Sequence, residues 1–139
     1  MTSQLNVDAI VDKAGSGGTN VKIGNTSVTV AEGGSGTTNT VQGLCKFWAQ
    51  IDGTGTVSNR DSFNSSALTD NATGDYTHTF TNAMSNNDYS SVGMAAGSQH
   101  SAFYNEANTL TTSFRQLIRA SGTDTDTDPI ALQICGDLA

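Results

Sequence analysis

Large side chains alternate with polar ones most clearly in the middle of the chain. Tyr76, His78 and Phe80 are separated by threonines, and this period of two predicts a β-strand with its three rings on one face of a sheet. Residues 69–75, which precede this strand, are rich in Asp, Asn and Gly, residue types that favour turns. We predict a hairpin around this turn and a further strand at 89–96, so that the strands of this region form a β-meander.

A second alternating run, residues 45–51, predicts another strand. One face of this strand carries Cys45, Phe47, Ala49 and Ile51, and the other face carries Lys46, Trp48 and Gln50. The sole tryptophan, Trp48, is therefore expected on the more polar face. There it is covered by a neighbouring loop, contacts another subunit or forms a surface on which a ligand stacks, since a partly exposed aromatic ring suits each of these roles.

The C-terminal half of the chain contains a long segment without a period and then a clear strand. Residues 129–135 predict the last strand, and its inward positions are Ile130, Leu132 and Ile134. Residues 97–108 show no convincing period and predict a long loop. Loops commonly carry recognition residues, and the candidates in this one are His100, Phe103, Tyr104 and Glu106. The alternative is that these side chains pack back on their own domain.

The first 41 residues have strand character at 21–23 and 28–30 but almost no large side chains. A hairpin of this kind is marginally stable by itself, so the segment is either a disordered tail or shares its core with another chain. We favour the second interpretation and predict an extended β segment at 1–41 that serves attachment and homo-oligomerisation. The candidate subunit contacts are Val21, Ile23, Val28, Val30 and Trp48.

The composition favours an all-β fold. Of the 139 residues, 35% are apolar and 14% are charged, while Thr, Ser, Asn and Gly are abundant, a combination typical of many short strands joined by turns. We predict an antiparallel β-sandwich at 42–139, preceded by the strand-rich segment 1–41.

The charge balance disfavours some classes of partner. Thirteen acidic and six basic residues give a net charge of −7, which repels nucleic-acid phosphates and anionic lipid. The N-terminus lacks the pattern of a signal peptide, and no apolar run approaches the roughly 20 residues that span a bilayer. We expect no nucleic-acid binding, no membrane insertion and synthesis in the cytoplasm. In that compartment, reduced thiols at Cys45 and Cys135 are favoured over a disulfide.

Few residues are candidates for metal binding or catalysis. Asp124, Asp126 and Asp128 alternate in a manner that could present oxygen ligands to Ca²⁺. The glycine and the distal glutamate of a calcium loop are missing, so a solvated hairpin loop is the favoured interpretation. His78 and His100 have no zinc-type spacing. We therefore predict neither a cofactor nor an enzymatic activity.

Three segments carry a resemblance to a known family. Residues 46–56 (KFWAQIDGTGT), 60–71 (RDSFNSSALTDN) and 74–80 (GDYTHTF) resemble a recurrent module of tailed-bacteriophage virion proteins, especially tail-fibre proteins. Ala83-Met84 and Tyr89 match the segment that follows in that module. The resemblance implies a trimeric virion appendage with a distal β-sandwich, in which the motif residues are structural. The chain is short for a complete tail fibre, which favours an adaptor, a fibre tip or a head-decorating fibre.

Together these features predict a homotrimeric, non-enzymatic virion structural protein of the tail-fibre or fibre-tip type. Its expected partners are further copies of itself, other virion proteins and a bacterial surface glycan or protein. One alternative is a capsid decoration protein, or head fibre, whose N-terminal part grips the shell. Another is a free carbohydrate-binding module that stacks sugars on Phe103, Tyr104 or Trp48. A polysaccharide hydrolase is disfavoured because no pair of catalytic carboxylates can be identified.

Overall fold

The computed structural model describes residues 29–31, 37–39 and 43–139. The chain divides after Asn39 into two units. In the first unit, β1 (Thr29–Ala31) pairs antiparallel with β2 (Thr37–Asn39), and Val30 lies opposite Thr38. The other predicted subunit contacts of this segment, Val21, Ile23 and Val28, lie outside the described residues.

The described part of the second unit consists of short strands joined by turns. One 3-10 turn, Glu106–Asn108, interrupts them, and no helix within the described residues is long and apolar enough to cross a membrane. The strands are β3 (Cys45–Asp52), β4 (Ser58–Phe63), β5 (Ser65–Ala72), β6 (Asp75–Phe80), β7 (Ser90–Ala95), β8 (His100–Tyr104), β9 (Ser113–Ala120), β10 (Thr123–Asp124) and β11 (Ile130–Cys135).

These strands form two antiparallel sheets. In the five-stranded sheet the order is β5-β6-β9-β8, and the short β10 pairs with the end of β9. In the four-stranded sheet the order is β4-β3-β11-β7. The prediction of an all-β antiparallel sandwich is confirmed.

The core fills the space between the sheets with the alternate side chains of four central strands. The ring of Phe47 in the four-stranded sheet lies 5.5 Å from that of His78 and 5.1 Å from that of Phe80, between ring centroids. Burying each large apolar side chain contributes about 1.5–3 kcal/mol. The inward faces predicted for β3, β6 and β11 are confirmed, since Phe47, Ala49, Ile51, Tyr76, His78, Phe80, Ile130, Leu132 and Ile134 are all buried.

A single residue, Asn64, carries the chain from the four-stranded to the five-stranded sheet. It has a φ of 61°, a conformation that asparagine tolerates better than most residues. Its side-chain amide donates hydrogen bonds to the carbonyls of Lys46 (2.9 Å) and Asn82 (3.0 Å), and its side-chain oxygen accepts one from the Asn82 N–H (2.7 Å). Three hydrogen bonds therefore tie the corner to two residues, Lys46 and Asn82.

The predicted hairpin β5–β6 is confirmed, but the predicted meander is wrong. Gly74 turns the hairpin with a φ of 67°. The second edge of β6 then pairs with β9, while β7 joins the other sheet beside β11. Strand β9 brings the buried Phe114, Gln116 and Ile118 to the core beside β6, whereas Val92 and Met94 of β7 lie exposed on the other sheet.

The loop predicted at 97–108 is also wrong in part. Residues His100–Tyr104 form β8, an edge strand that pairs with β9 along its whole length. The small Ala102 packs against the core, while the large Phe103 is half exposed. This arrangement reverses the usual pattern, in which large apolar residues face inward and small or polar residues face outward. The sequence of β8 therefore lacks the alternation that predicts a strand.

Candidate functional site

The outer face of the four-stranded sheet presents two rows of side chains. Residues that lie directly opposite each other in an antiparallel pair project to the same face of the sheet. The register places Trp48 opposite both Phe63 and Gln133, and Gln133 opposite Val92. The row below consists of Asp61, Gln50, Ala131 and Met94.

Between these rows lies a groove of about 460 Å³, which we call the outer groove. Its side chains come from all four strands of the sheet, and the backbone of β3 and β11 forms its floor. The side chains that line it are Trp48, Gln50, Asp61, Val92, Met94, Ala131 and Gln133.

Large apolar side chains on this face are unusually accessible. Met94 is 72% exposed, Val92 61% and Phe63 51%, while Trp48 is half-buried. Single apolar side chains are normal on a protein surface, but several large exposed ones on the same face mark a contact surface. Tryptophan and methionine are also enriched at such surfaces.

The polar groups of the outer groove are mostly uncharged. The amides of Gln50 and Gln133 each offer donors and acceptors, and Asp61 is the single charged side chain among the lining residues. One oxygen of Asp61 accepts a hydrogen bond of 2.8 Å from the Ser62 N–H. The groove therefore provides an aromatic face with hydrogen-bonding groups beside it, a combination that is suited to binding another molecule.

The structure separates the four residues predicted for the recognition loop. Tyr104 and Glu106 line a second cavity of about 380 Å³, which we call the end pocket, together with Asp88, Tyr89 and Phe114. Phe103 is the next residue along β8, and the guanidinium carbon of Arg119 lies 5.8 Å from its ring centroid. His100 begins β8 at the other end of the strand, in contact with the Gly97 turn.

Tyr89 forms the rigid wall of the end pocket. Its hydroxyl lies 3.1 Å from the Leu110 carbonyl and 3.3 Å from the Ser113 carbonyl, and its ring lies 6.2 Å from that of Phe114. Burial raises the pKa of Tyr89 to about 12. The phenol therefore stays protonated and serves as a hydrogen-bond donor at neutral pH.

The three alternating aspartates do not converge on one point. Asp124 accepts a hydrogen bond of 2.7 Å from Arg119, and Asp128 forms an ion pair with Arg60. Asp126 is exposed, and one oxygen of its carboxylate lies 2.8 Å from the hydroxyl of the buried Tyr76. No group of three His, Cys, Asp or Glu side chains within the described residues is close enough to hold a metal ion.

His78 is a core residue. Its Nε2 lies 3.1 Å from Oε1 of Gln116, and Nε2 of Gln116 donates to the Ala131 carbonyl at 3.3 Å. Because an amide oxygen only accepts, His78 carries its proton on Nε2. Its buried Nδ1 has no hydrogen-bond partner among the residues that the structure describes. Burial lowers the pKa of His78 to about 4, so the ring is neutral at pH 7 and shielded from solvent.

Sequence reasoning identified one member of the outer groove and missed the others. Trp48 was predicted on the polar face of β3, and the same alternation places Gln50 beside it. Asp61, Met94 and Gln133 come from β4, β7 and β11. No local signal connects them with Trp48, because strand pairing alone brings them together.

Comparison of the chain with protein-family models, with curated proteins and with solved structures found no match.

Proposed function

We propose that this protein is a non-enzymatic structural component of a bacteriophage virion, and that copies of the chain associate as a homotrimer. The observation that carries this proposal is the set of large exposed apolar side chains on the outer face of the four-stranded sheet, which includes Phe63, Val92 and Met94. The resemblance of residues 46–80 to tail-fibre modules supplies the virion context. Other virion proteins and a bacterial surface glycan or protein are the further partners that this context implies.

The chemistry of the outer groove suits contact between identical chains. Amide side chains such as Gln50 and Gln133 both donate and accept hydrogen bonds, so each can pair with a different part of the same surface on the next chain around a three-fold axis. The apolar side chains of Trp48, Val92 and Met94 supply area whose removal from water drives association. Asp61 lies at the margin of this surface, on the edge strand β4.

Charge opposes association at long range. Each chain carries a net charge of −7, so copies repel one another until the nearly uncharged groove surfaces meet. Salt screens such repulsion, because the Debye length falls to about 3 Å at 1 M ionic strength. Self-association through the outer groove is therefore expected to strengthen as salt is added, the opposite of an interface held by ion pairs.

Sedimentation equilibrium with the Met94→Glu variant tests the subunit contact. Met94 is 72% exposed, so a glutamate there leaves the fold intact but places a charge in the groove. We expect a trimer for the wild-type chain and a monomer for the variant. The matched control is Leu110→Glu, which changes a 51% exposed apolar side chain outside the groove and is expected to remain trimeric. A wild-type chain that stays monomeric across micromolar concentrations would contradict the proposal.

The position in the particle separates the tail-fibre proposal from its closest alternative. Antibody raised against residues 43–139 and viewed on virions by electron microscopy is expected to label tails. Labelling of heads would instead support a capsid decoration protein, and virions without label would count against both.

A second candidate function is carbohydrate binding. The observation that favours it is the half-buried ring of Trp48 with Gln50, Gln133 and Asp61 around it. An aromatic face stacks on the C–H face of a sugar ring, while amides and carboxylates hydrogen-bond its hydroxyls. Glycan-array binding by a monomeric chain, abolished by Trp48→Ala and retained by Tyr104→Ala, would support this function. Loss on Tyr104→Ala alone would place sugar binding in the end pocket instead.

A further inference from the structure

The two cysteines of the chain lie opposite each other in the four-stranded sheet. Cys45 begins β3 and Cys135 ends β11, and their Cα atoms are register partners across this antiparallel pair. Both are free thiols, Cys45 half-buried and Cys135 exposed. Although they are far apart in sequence, the pairing of the two central strands places them side by side.

The backbone geometry at this point suits a covalent link. Directly opposed residues in an antiparallel pair have Cα atoms about 4.5–5.5 Å apart, within the range of about 4.4–6.8 Å found across disulfides. A bulge next to this pair shifts the register between Ile134 and Cys135. The two cysteines therefore pair at an irregular position, where the strands have room to adjust.

The thiol of Cys45 is already turned towards β11. It donates to the Phe47 carbonyl at 2.8 Å, and its sulfur lies 3.5 Å from the carbonyl oxygen of Ile134. Ile134 is the residue immediately before Cys135. The side chain of Cys135 is exposed to solvent, so it is free to change rotamer and approach the Cys45 sulfur.

We propose that Cys45 and Cys135 form a site of reversible disulfide bonding, with a small-molecule disulfide such as glutathione disulfide as oxidant. The exposed thiolate of Cys135 attacks one sulfur of the oxidant, whose S–S bond breaks and releases one glutathione thiolate. The thiolate of Cys45 then attacks the Cys135 sulfur of this mixed disulfide and releases the second glutathione. The protein loses two protons and two electrons, and the oxidant is reduced to two molecules of glutathione.

The bond would join the two central strands of the sheet that carries the outer groove. Trp48 and Gln50 lie on β3, and Ala131 and Gln133 lie on β11, so the link locks the register on which the groove depends. In the unfolded chain it closes a long loop and restricts the unfolded ensemble, which stabilises the folded state. A reducing cytoplasm keeps the two thiols reduced, and an oxidising extracellular medium favours the disulfide.

The test uses the full-length chain at low concentration, incubated with either reduced or oxidised glutathione and then quenched with an alkylating reagent. After oxidation we expect a monomer two mass units lighter, without alkylation, and a peptide map that joins Cys45 to Cys135. Excess reduced glutathione should reduce the disulfide, so that the reagent then alkylates both cysteines. The urea midpoint of the wild-type chain should move to higher urea on oxidation, whereas that of Cys135→Ser should not move.

The Cys45→Ser variant tests the order of the two steps. It lacks the second nucleophile, so the glutathione adduct on Cys135 should accumulate in the variant and not in the wild-type chain. Two alkylated cysteines after oxidation, a stable adduct on the wild-type chain, or cross-links only between chains would each overturn the proposal. None of these outcomes depends on the proposed virion role, because all are measured on the isolated chain.

Discussion

The hydroxyl of Tyr76 lies 2.8 Å from a carboxylate oxygen of the exposed Asp126, in a partly buried contact. The same hydroxyl lies 2.9 Å from the Gly53 carbonyl, and the same Asp126 oxygen accepts a hydrogen bond of 2.7 Å from the Gly74 N–H. A Cβ at Gly53 would lie 2.6 Å from the Tyr76 hydroxyl, so this approach requires glycine. The contact joins β6, the turn after β3 and the loop before β11.

Replacing Tyr76 with Phe is expected to destabilise the sandwich by about 1–3 kcal/mol, because it removes the single hydroxyl proton that the Gly53 carbonyl and the Asp126 carboxylate share. The change removes one oxygen and keeps the buried ring. Urea denaturation followed by tryptophan fluorescence measures the effect. Tyr104→Phe is the matched control, because Tyr104 is 57% exposed. Loss of its hydroxyl should change the free energy of unfolding by less than about 0.5 kcal/mol. Equal stability of both variants would show that the Tyr76 contact contributes nothing.

Stability is expected to fall as the pH drops from about 6.5 towards about 4, because of His78. Its pKa is lower in the folded state, so the unfolded chain binds more protons in this window and is favoured by acid. The contribution is fully present above pH 6.5, and the loss reaches roughly 3 kcal/mol at and below the folded pKa, from 1.36 kcal/mol per unit. Denaturation at a series of pH values measures it.

His78→Gln is the variant that assigns this pH dependence. Its amide can still donate to Gln116 but does not titrate, so the slope between pH 6.5 and 4 should flatten even though the variant is less stable overall. Asp75 adds acid sensitivity mainly below this window, because its hydrogen bonds with Arg115 hold its pKa in the folded chain below the usual 3.8. A slope that survives in His78→Gln would assign the acid sensitivity to another group.

Asn64→Ala is expected to destabilise the sandwich more than Asn64→Gly. Both variants lose the side-chain hydrogen bonds to Lys46 and Asn82. Alanine must also adopt the left-handed backbone at φ 61°, which costs roughly 1–2 kcal/mol for an L-residue, whereas glycine adopts it freely. Thermal or urea denaturation of the two variants ranks them. The reverse order would mean that the corner relaxes out of the left-handed conformation.

The fluorescence of Trp48 should report occupation of the outer groove. It is the sole tryptophan of the chain, and its half-buried ring lies in the groove. Self-association removes water from the ring, so the emission maximum of the wild-type chain is expected to move to shorter wavelength as protein concentration rises. Met94→Glu should keep the long-wavelength maximum throughout, while Leu110→Glu should behave as the wild-type chain does. A maximum independent of concentration in all three proteins would place any subunit contact elsewhere.

The sequence by itself determined which large side chains of β3, β6 and β11 enter the core. The alternation in β3, β6 and β11 identified the inward rows, because successive residues of a strand project to opposite faces whatever the strand pairs with. The turn at Gly74 was equally readable, since its requirement for positive φ is local. For the same reason Trp48 could be assigned to the outer side of β3.

Only the tertiary structure decided which strands are neighbours. The positions of β7 beside β11, of β8 beside β9 and of Cys45 opposite Cys135 depend on pairing between segments far apart in sequence. That pairing is set by the total area buried when both sheets close, a quantity that no short window of sequence contains. The outer groove and the paired cysteines both depend on this pairing, so the periodicity of the sequence could not predict them. The same periodicity did predict the inward rows of the core that supports them.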